Sequence, residues 1–157
     1  MNLVVDASLV VSALIDNGPD GQWAEEVLIG GNLCAPHLMP VEVANILRRA
    51  ALAGDISQDS ATLAHQALHS FRCELFDYEL LAERVWALRA NVTAYDACYI
   101  ALAEILDAEL ATLDRALSRA SGTFARRSGS GHEIASDRLG RSPGQNVSGR
   151  MPPDASP

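Results

Sequence analysis

Residues 93–114, TAYDACYIALAEILDAELATLD, decide the fold class. The first part reads as a helix from Thr93 to Leu106. Its apolar positions Ala94, Cys98, Ala101, Leu102 and Ile105 recur at the i, i+4, i+7, i+8, i+11 spacing of one helical face. Thr93 is placed to cap this helix, and Asp96 falls in its first turn. The second part, Glu109 to Thr112, reads as a short strand, and Asp114 opens a further short helix. Helix, strand and helix in direct succession form the repeating unit of a parallel sheet, whose strands need crossover connections.

The same alternation runs back to the N-terminus. Leu3-Val4-Val5 is a buried-strand run that ends at Asp6. Ser8–Ile15 and Gln22–Leu28 read as helices, the second stopped by Gly30-Gly31. Leu33-Cys34-Ala35 reads as a strand closed by Pro36. Pro40 starts a helix through Ala53, ended by Gly54-Asp55, and Ser57 caps another to about Ser70. Cys73–Phe76 is strand-like and Leu80–Arg89 helical. The expected fold is α/β, a short parallel sheet flanked by helices.

The chain has 157 residues, 48% of them apolar, which suits one domain with a sizeable core. Its composition changes near residue 120. Residues 1–120 carry a net charge of −10, whereas residues 121–157 carry +2 and hold 17 Gly, Ser or Pro among 37 positions. Residues 1–120 are therefore expected to form the domain. The Gly/Ser/Pro/Arg-rich segment 121–157 is expected to be disordered, because it holds too little apolar surface to offset chain entropy. Truncation after about residue 122 is expected to leave folding largely unchanged.

With a net charge of −8, the chain has no broad basic surface for nucleic acid. It can still act on nucleic acid if cations fill an acidic site. Lysine is absent, which excludes the phosphate loop GxxxxGK[ST], Schiff-base chemistry and Ser-Lys nucleophile pairs. The three cysteines, Cys34, Cys73 and Cys98, show no CxxC spacing and are expected to be free thiols in a reducing cytoplasm. The first residues reach Asp6 without a basic leader, and no membrane span is expected.

Four acids stand out by position. Asp6 follows the first strand and Asp114 the last. Glu42 lies in the first turn of the helix begun by Pro40, and Asp96 in the first turn after Thr93. Each has a structural explanation alone, since Asp caps helices and first-turn acids oppose the helix dipole. Together they point further. In a parallel sheet the carboxyl ends of the strands share one edge, and helices that follow strands begin there. Four carboxylates in one crevice repel one another and raise each other's pKa, and a divalent cation relieves that repulsion. Hard oxygen donors without Cys or His favour Mg²⁺ or Mn²⁺ over zinc. A water on such a metal can be activated against a phosphodiester.

The runs Val4-Val5-Asp6-Ala7-Ser8, Pro40-Val41-Glu42-Val43-Ala44-Asn45, Tyr95-Asp96-Ala97-Cys98-Tyr99-Ile100-Ala101-Leu102-Ala103 and Ala111-Thr112-Leu113-Asp114-Arg115 resemble, in order and spacing, PIN-domain ribonucleases. The resemblance is to the VapC toxins of toxin–antitoxin pairs, and it spans residues 1 to about 120. It implies a Mg²⁺-dependent endoribonuclease with Asp6, Glu42, Asp96 and Asp114 as catalytic acids. Asp6 and Asp96 would be direct metal ligands, Asp114 a direct or water-mediated one, and Glu42 would orient or deprotonate the attacking water. Ser8 and Thr112 match supporting hydrogen-bonding positions. The resemblance also implies an RNA substrate, a homodimer and a cognate antitoxin, whose arginine an acidic crevice would attract. Such proteins usually close with one more short strand after the Thr-x-Asp motif; Ser121 onward does not read as that strand.

Arg48, Arg49 and Arg115 lie close in sequence to Glu42 and Asp114. They are candidate RNA contacts, or equally a solvated face. His65 and His69 have the i, i+4 spacing of zinc ligands but no third ligand near them, so a solvated or packing role is expected. Trp23 and Trp86 are expected in core or dimer packing rather than base stacking. Two further readings stay open: a PIN nuclease of RNA processing or turnover without toxin behaviour, and a non-catalytic interaction module whose acids only cap helices.

Overall fold

Short apolar runs separated by amphipathic segments fold here into a four-stranded parallel sheet with helical crossovers, seen in a computed structural model that describes residues 1–121. In chain order the elements are β1 (Asn2–Val5), α1 (Ala7–Ile15), α2 (Pro19–Ile29), β2 (Asn32–Pro36), α3 (Met39–Ala53), α4 (Gln58–His69), β3 (Glu74–Phe76), α5 (Tyr78–Leu88), α6 (Ala94–Leu106), β4 (Glu109–Ala111) and α7 (Arg115–Ser121). Every expected strand and helix is present, with no end moved by more than three residues.

The sheet order is β3-β2-β1-β4, with every pairing parallel. Val4 and Val5 point to opposite faces and both are fully buried, so β1 is covered on its two sides. One helical group joins α1 to α2, α3 and α4; in the other, α5 packs on α6, and α6 lies across β1, β2 and β4.

The stripe expected on α6 is corrected at its ends. Ala94 is exposed and Ile105 is 55% exposed, while Ala97 to Ala103 are all buried. A helix enclosed between a sheet and another helix is buried by its position along the axis, not by one face. Trp86 lies outside the core, which leaves dimer packing as its expected place. It is 68% exposed, with the Arg89 guanidinium 4.9 Å from its ring centre, a cation–π contact. Trp23 does pack against the core.

Helix ends follow their sequence signals. Thr93 and Ser57 accept from the backbone N–H groups of Asp96 and Ser60, and Gly54 closes α3 at φ 81°. Asp107 closes α6 in the same left-handed region, where Asp is better tolerated than most residues. Cys34, Cys73 and Cys98 are free thiols. His65 and His69 are exposed on α4. No helix among the described residues is long and apolar enough to cross a membrane. The expectations for residues 122–157 lie outside the described residues.

Candidate active site

Strand register assembles the site. Val5 pairs with Ala111 and Val4 with Cys34, so Asp6 and Thr112 stand level, one residue beyond their strands, at the carboxyl edge of the sheet. Asp6 is 4% exposed and caps α1, accepting from the Leu9 backbone N–H at 3.0 Å. Two hydroxyls complete its hydrogen bonding. Ser8 donates to it at 2.8–2.9 Å and Thr112 donates at 2.8 Å.

Each hydroxyl also accepts a backbone N–H from the segment after β4. Leu113 donates to Ser8 at 3.0 Å, and Asp114 donates to Thr112 at 2.9 Å. The β4–α7 turn is thereby tied to the end of β1, and Asp114 is held beside Asp6. Asp114 is exposed, and its Oδ1 accepts from Ala116 at 2.6 Å and Leu117 at 3.2 Å. Ser8 and Thr112 thus each bond both to Asp6 and to the segment after β4.

Glu42 is half-buried in the first turn of α3. Its carboxylate accepts the hydroxyl of Tyr99, a buried residue of α6. Asp96, also half-buried, accepts from the Thr93 hydroxyl at 2.8 Å and donates its own N–H back at 3.1 Å. Tyr99 was not among the expected site residues. Its signal was its place three residues after Asp96, on the same face of α6.

The four carboxylates act on one another through space. Burial first, and then the charge of Asp114 among smaller effects, raises Asp6 to about 6 against the hydrogen bonds from Leu9, Thr112 and Ser8. Burial raises Glu42 to about 7, opposed by the Tyr99 hydroxyl and aided by the charges of Asp6 and Asp96. Asp96 is raised, again first by burial, with Asp114 adding repulsion. Asp6, Glu42, Asp96 and Asp114 thus form a closed ring of mutual repulsion. The repulsion expected from sequence is present, but loss of water is the larger cause. No positive charge contributes to the shifts of Asp6, Glu42 or Asp96.

Among the described residues, no three carboxylate, imidazole or thiol side chains stand close enough to form a ready-made metal cage. The donor chemistry nonetheless fits a hard dication: carboxylate oxygens, partly stripped of water and raised by repulsion. Mg²⁺ keeps several waters and binds through one or two carboxylates, so it needs no complete protein cage. Of the candidate RNA contacts, Arg48 is exposed and donates to Asn45 Oδ1 at 3.1–3.2 Å. Arg49 is half-buried on α3, and Arg115 is exposed at the start of α7.

Acids at the carboxyl edge of a short parallel sheet, tied by Ser and Thr hydroxyls, mark a known class. Residues 3–122 match the PIN domain family, and the chain belongs to it. Ribonuclease VapC1 of Mycobacterium tuberculosis is 42% identical over 120 residues, covering 76% of this chain and 90% of that protein. This match makes the chain an enzyme of the VapC ribonuclease kind, a hydrolase. Two solved structures share the fold. Mycobacterium tuberculosis VapC20, described as a sarcin-ricin loop cleaving toxin, has a TM-score of 0.62 at 16% identity and covers 80% of this chain and 99% of that one. VapBC2 of Rickettsia felis, bound to a DNA fragment from their promoter, has a TM-score of 0.54 at 12% identity and covers 80% and 98%.

Proposed function

We propose that this chain is a Mg²⁺- or Mn²⁺-dependent endoribonuclease that acts as the toxin of a toxin–antitoxin pair, with Asp6, Glu42, Asp96 and Asp114 as its catalytic acids. One observation carries the reading. Four carboxylates come from four separate parts of the chain, and the proton affinities of three of them, Asp6, Glu42 and Asp96, are raised first by burial and then by repulsion from others of the set, with no cation in that balance. Helix capping alone explains Asp6 and Asp114; it does not explain Glu42, which caps nothing and is drawn to α6 by Tyr99.

Asp6 and Asp96 would hold the metal directly, with Asp114 direct or through water. When bound, the metal supplies a Lewis acid that activates water and offsets charge on the phosphodiester. Glu42, raised to about 7, is suited to take a proton from water near neutral pH. Ser8 and Thr112 keep Asp6 oriented. Arg48, Arg49 and Arg115 are assigned to RNA phosphate. The protein works in the cytoplasm as a homodimer, and its cognate antitoxin places an arginine in the acidic crevice. The Rickettsia felis neighbour, a VapBC pair, supports a protein partner of that kind.

The test follows cleavage of single-stranded RNA by wild type and Asp96→Asn, with and without Mg²⁺, alongside growth on expressing the chain alone. Metal-dependent cleavage lost in the variant, with growth arrest relieved by the antitoxin, is expected. Cleavage without arrest would favour a processing or turnover nuclease. A well-folded wild type that neither binds metal nor cleaves RNA would leave an interaction module.

A further inference from the structure

An acidic crevice must hold RNA with few cations, so affinity has to come from elsewhere. Next in sequence to two of the carboxylates stand two exposed apolar side chains. Tyr95, immediately before Asp96, is 63% exposed, and Val41, immediately before Glu42, is 70% exposed. Tyr95 belongs to the exposed first turn of α6, ahead of the buried run Ala97 to Ala103. It also sits one turn N-terminal to Tyr99, the residue that donates to Glu42, so the two tyrosines share a helix face. Tyr95 therefore stands in the first turn of α6, one residue from Asp96 and on the helix face from which Tyr99 reaches Glu42.

We infer that Tyr95 is a base-stacking platform, which seats a nucleobase of single-stranded RNA next to the scissile phosphate. This rests on the ribonuclease reading above. Ring stacking is indifferent to the negative field that weakens phosphate contacts, and it tolerates any base because every base has a π-face. Tyr95 thus contributes to substrate hold and to which nucleotides flank the cut, leaving the chemistry to the acids.

The experiment uses the full chain and a short single-stranded RNA of mixed sequence, cleaved with Mg²⁺. Products locate the cut, and matched RNAs are then made abasic at each position flanking it. Tyr95→Leu is expected to raise KM about tenfold on intact RNA with kcat little changed. Tyr95→Phe, which keeps the ring, is expected to match wild type. One abasic RNA is expected to cost wild type a similar factor and to cost Tyr95→Leu nothing more, the coupling of two groups in contact. Unchanged melting temperatures show that the variants fold. Wild type that cleaves RNA while Tyr95→Leu keeps its KM, or losses that add with every abasic RNA, would overturn the assignment of Tyr95 alone. Wild type that cleaves no RNA would overturn the ribonuclease reading beneath it.

Discussion

Thr112 Oγ1 donates to Oδ2 of Asp6 at 2.8 Å, joining two residues 106 positions apart. The same hydroxyl accepts the Asp114 N–H at 2.9 Å, so one side chain orients one acid and fixes the turn that carries another. Thr112→Val keeps the shape and removes both bonds. It should destabilise the fold by about 1–3 kcal/mol near neutral pH, because a buried carboxylate loses a donor. Thr112→Ser should recover most of the loss. Urea unfolding at pH values either side of about 6 checks the cause. If the donor matters to charged Asp6, the cost of Thr112→Val shrinks at the lower pH.

The acidic ring also predicts how the metal-free protein responds to pH. Asp6 is raised from 3.8 to about 6. Below pH 3.8 it is protonated both folded and unfolded, and contributes no difference. As pH rises toward about 6, the unfolded chain gives up its proton first, so the folded state holds more protons and stability falls. For this fully buried group the fall is of order 3 kcal/mol. Glu42 extends the decline upward, from 4.5 to about 7. Denaturant midpoints measured without metal should therefore fall through this window. Asp6→Asn should flatten the lower part. A midpoint that rises with pH there would contradict the ring of repulsion.

Tyr99 is expected to tune Glu42. Its hydroxyl favours the charged carboxylate and so holds the proton affinity of Glu42 down against burial. Tyr99→Phe removes that donor, and Glu42 should then titrate at higher pH. The acidic limb of the kcat profile should move alkaline, with a several-fold loss near neutral pH that is recovered at about pH 8–9. KM should change little. An unshifted limb with a uniformly lower kcat would make Tyr99 a packing residue only.

Strand and helix order was legible because each element announces itself locally, as in Leu3-Val4-Val5 before Asp6 or Ser57 ahead of α4. The edge position of Asp6 and Asp114 was legible too, since parallel topology sends every strand end to one side. Two features were not. Ile105 fits an apolar stripe, yet only the packing of α5 and the sheet decides which part of α6 is enclosed. Tyr99 meets Glu42 across 57 residues, a contact that depends on how α3 and α6 converge. Likewise His37, which stands alone in sequence, pairs with Asp77 at 2.7 Å because β2 and β3 end side by side. Local signals report elements; contacts between elements need the register.

Metal binding should release protons, and the amount should depend on pH in a way set by these carboxylates. Near pH 6, Asp6 is about half protonated and Glu42 mostly so. A dication that takes carboxylate oxygens must displace those protons. Calorimetric titration with Mn²⁺ in buffers of differing ionisation enthalpy reads the number released. About one proton per metal is expected near pH 6, falling toward zero above about pH 8, where both acids are already charged. Affinity should rise across the same interval. Asp6→Asn should weaken binding and remove part of the proton release, whereas Glu42→Gln should remove release with less loss of affinity if Glu42 faces the metal through water. Metal binding with no pH dependence over this range would mean that the dication sits elsewhere on the acidic surface.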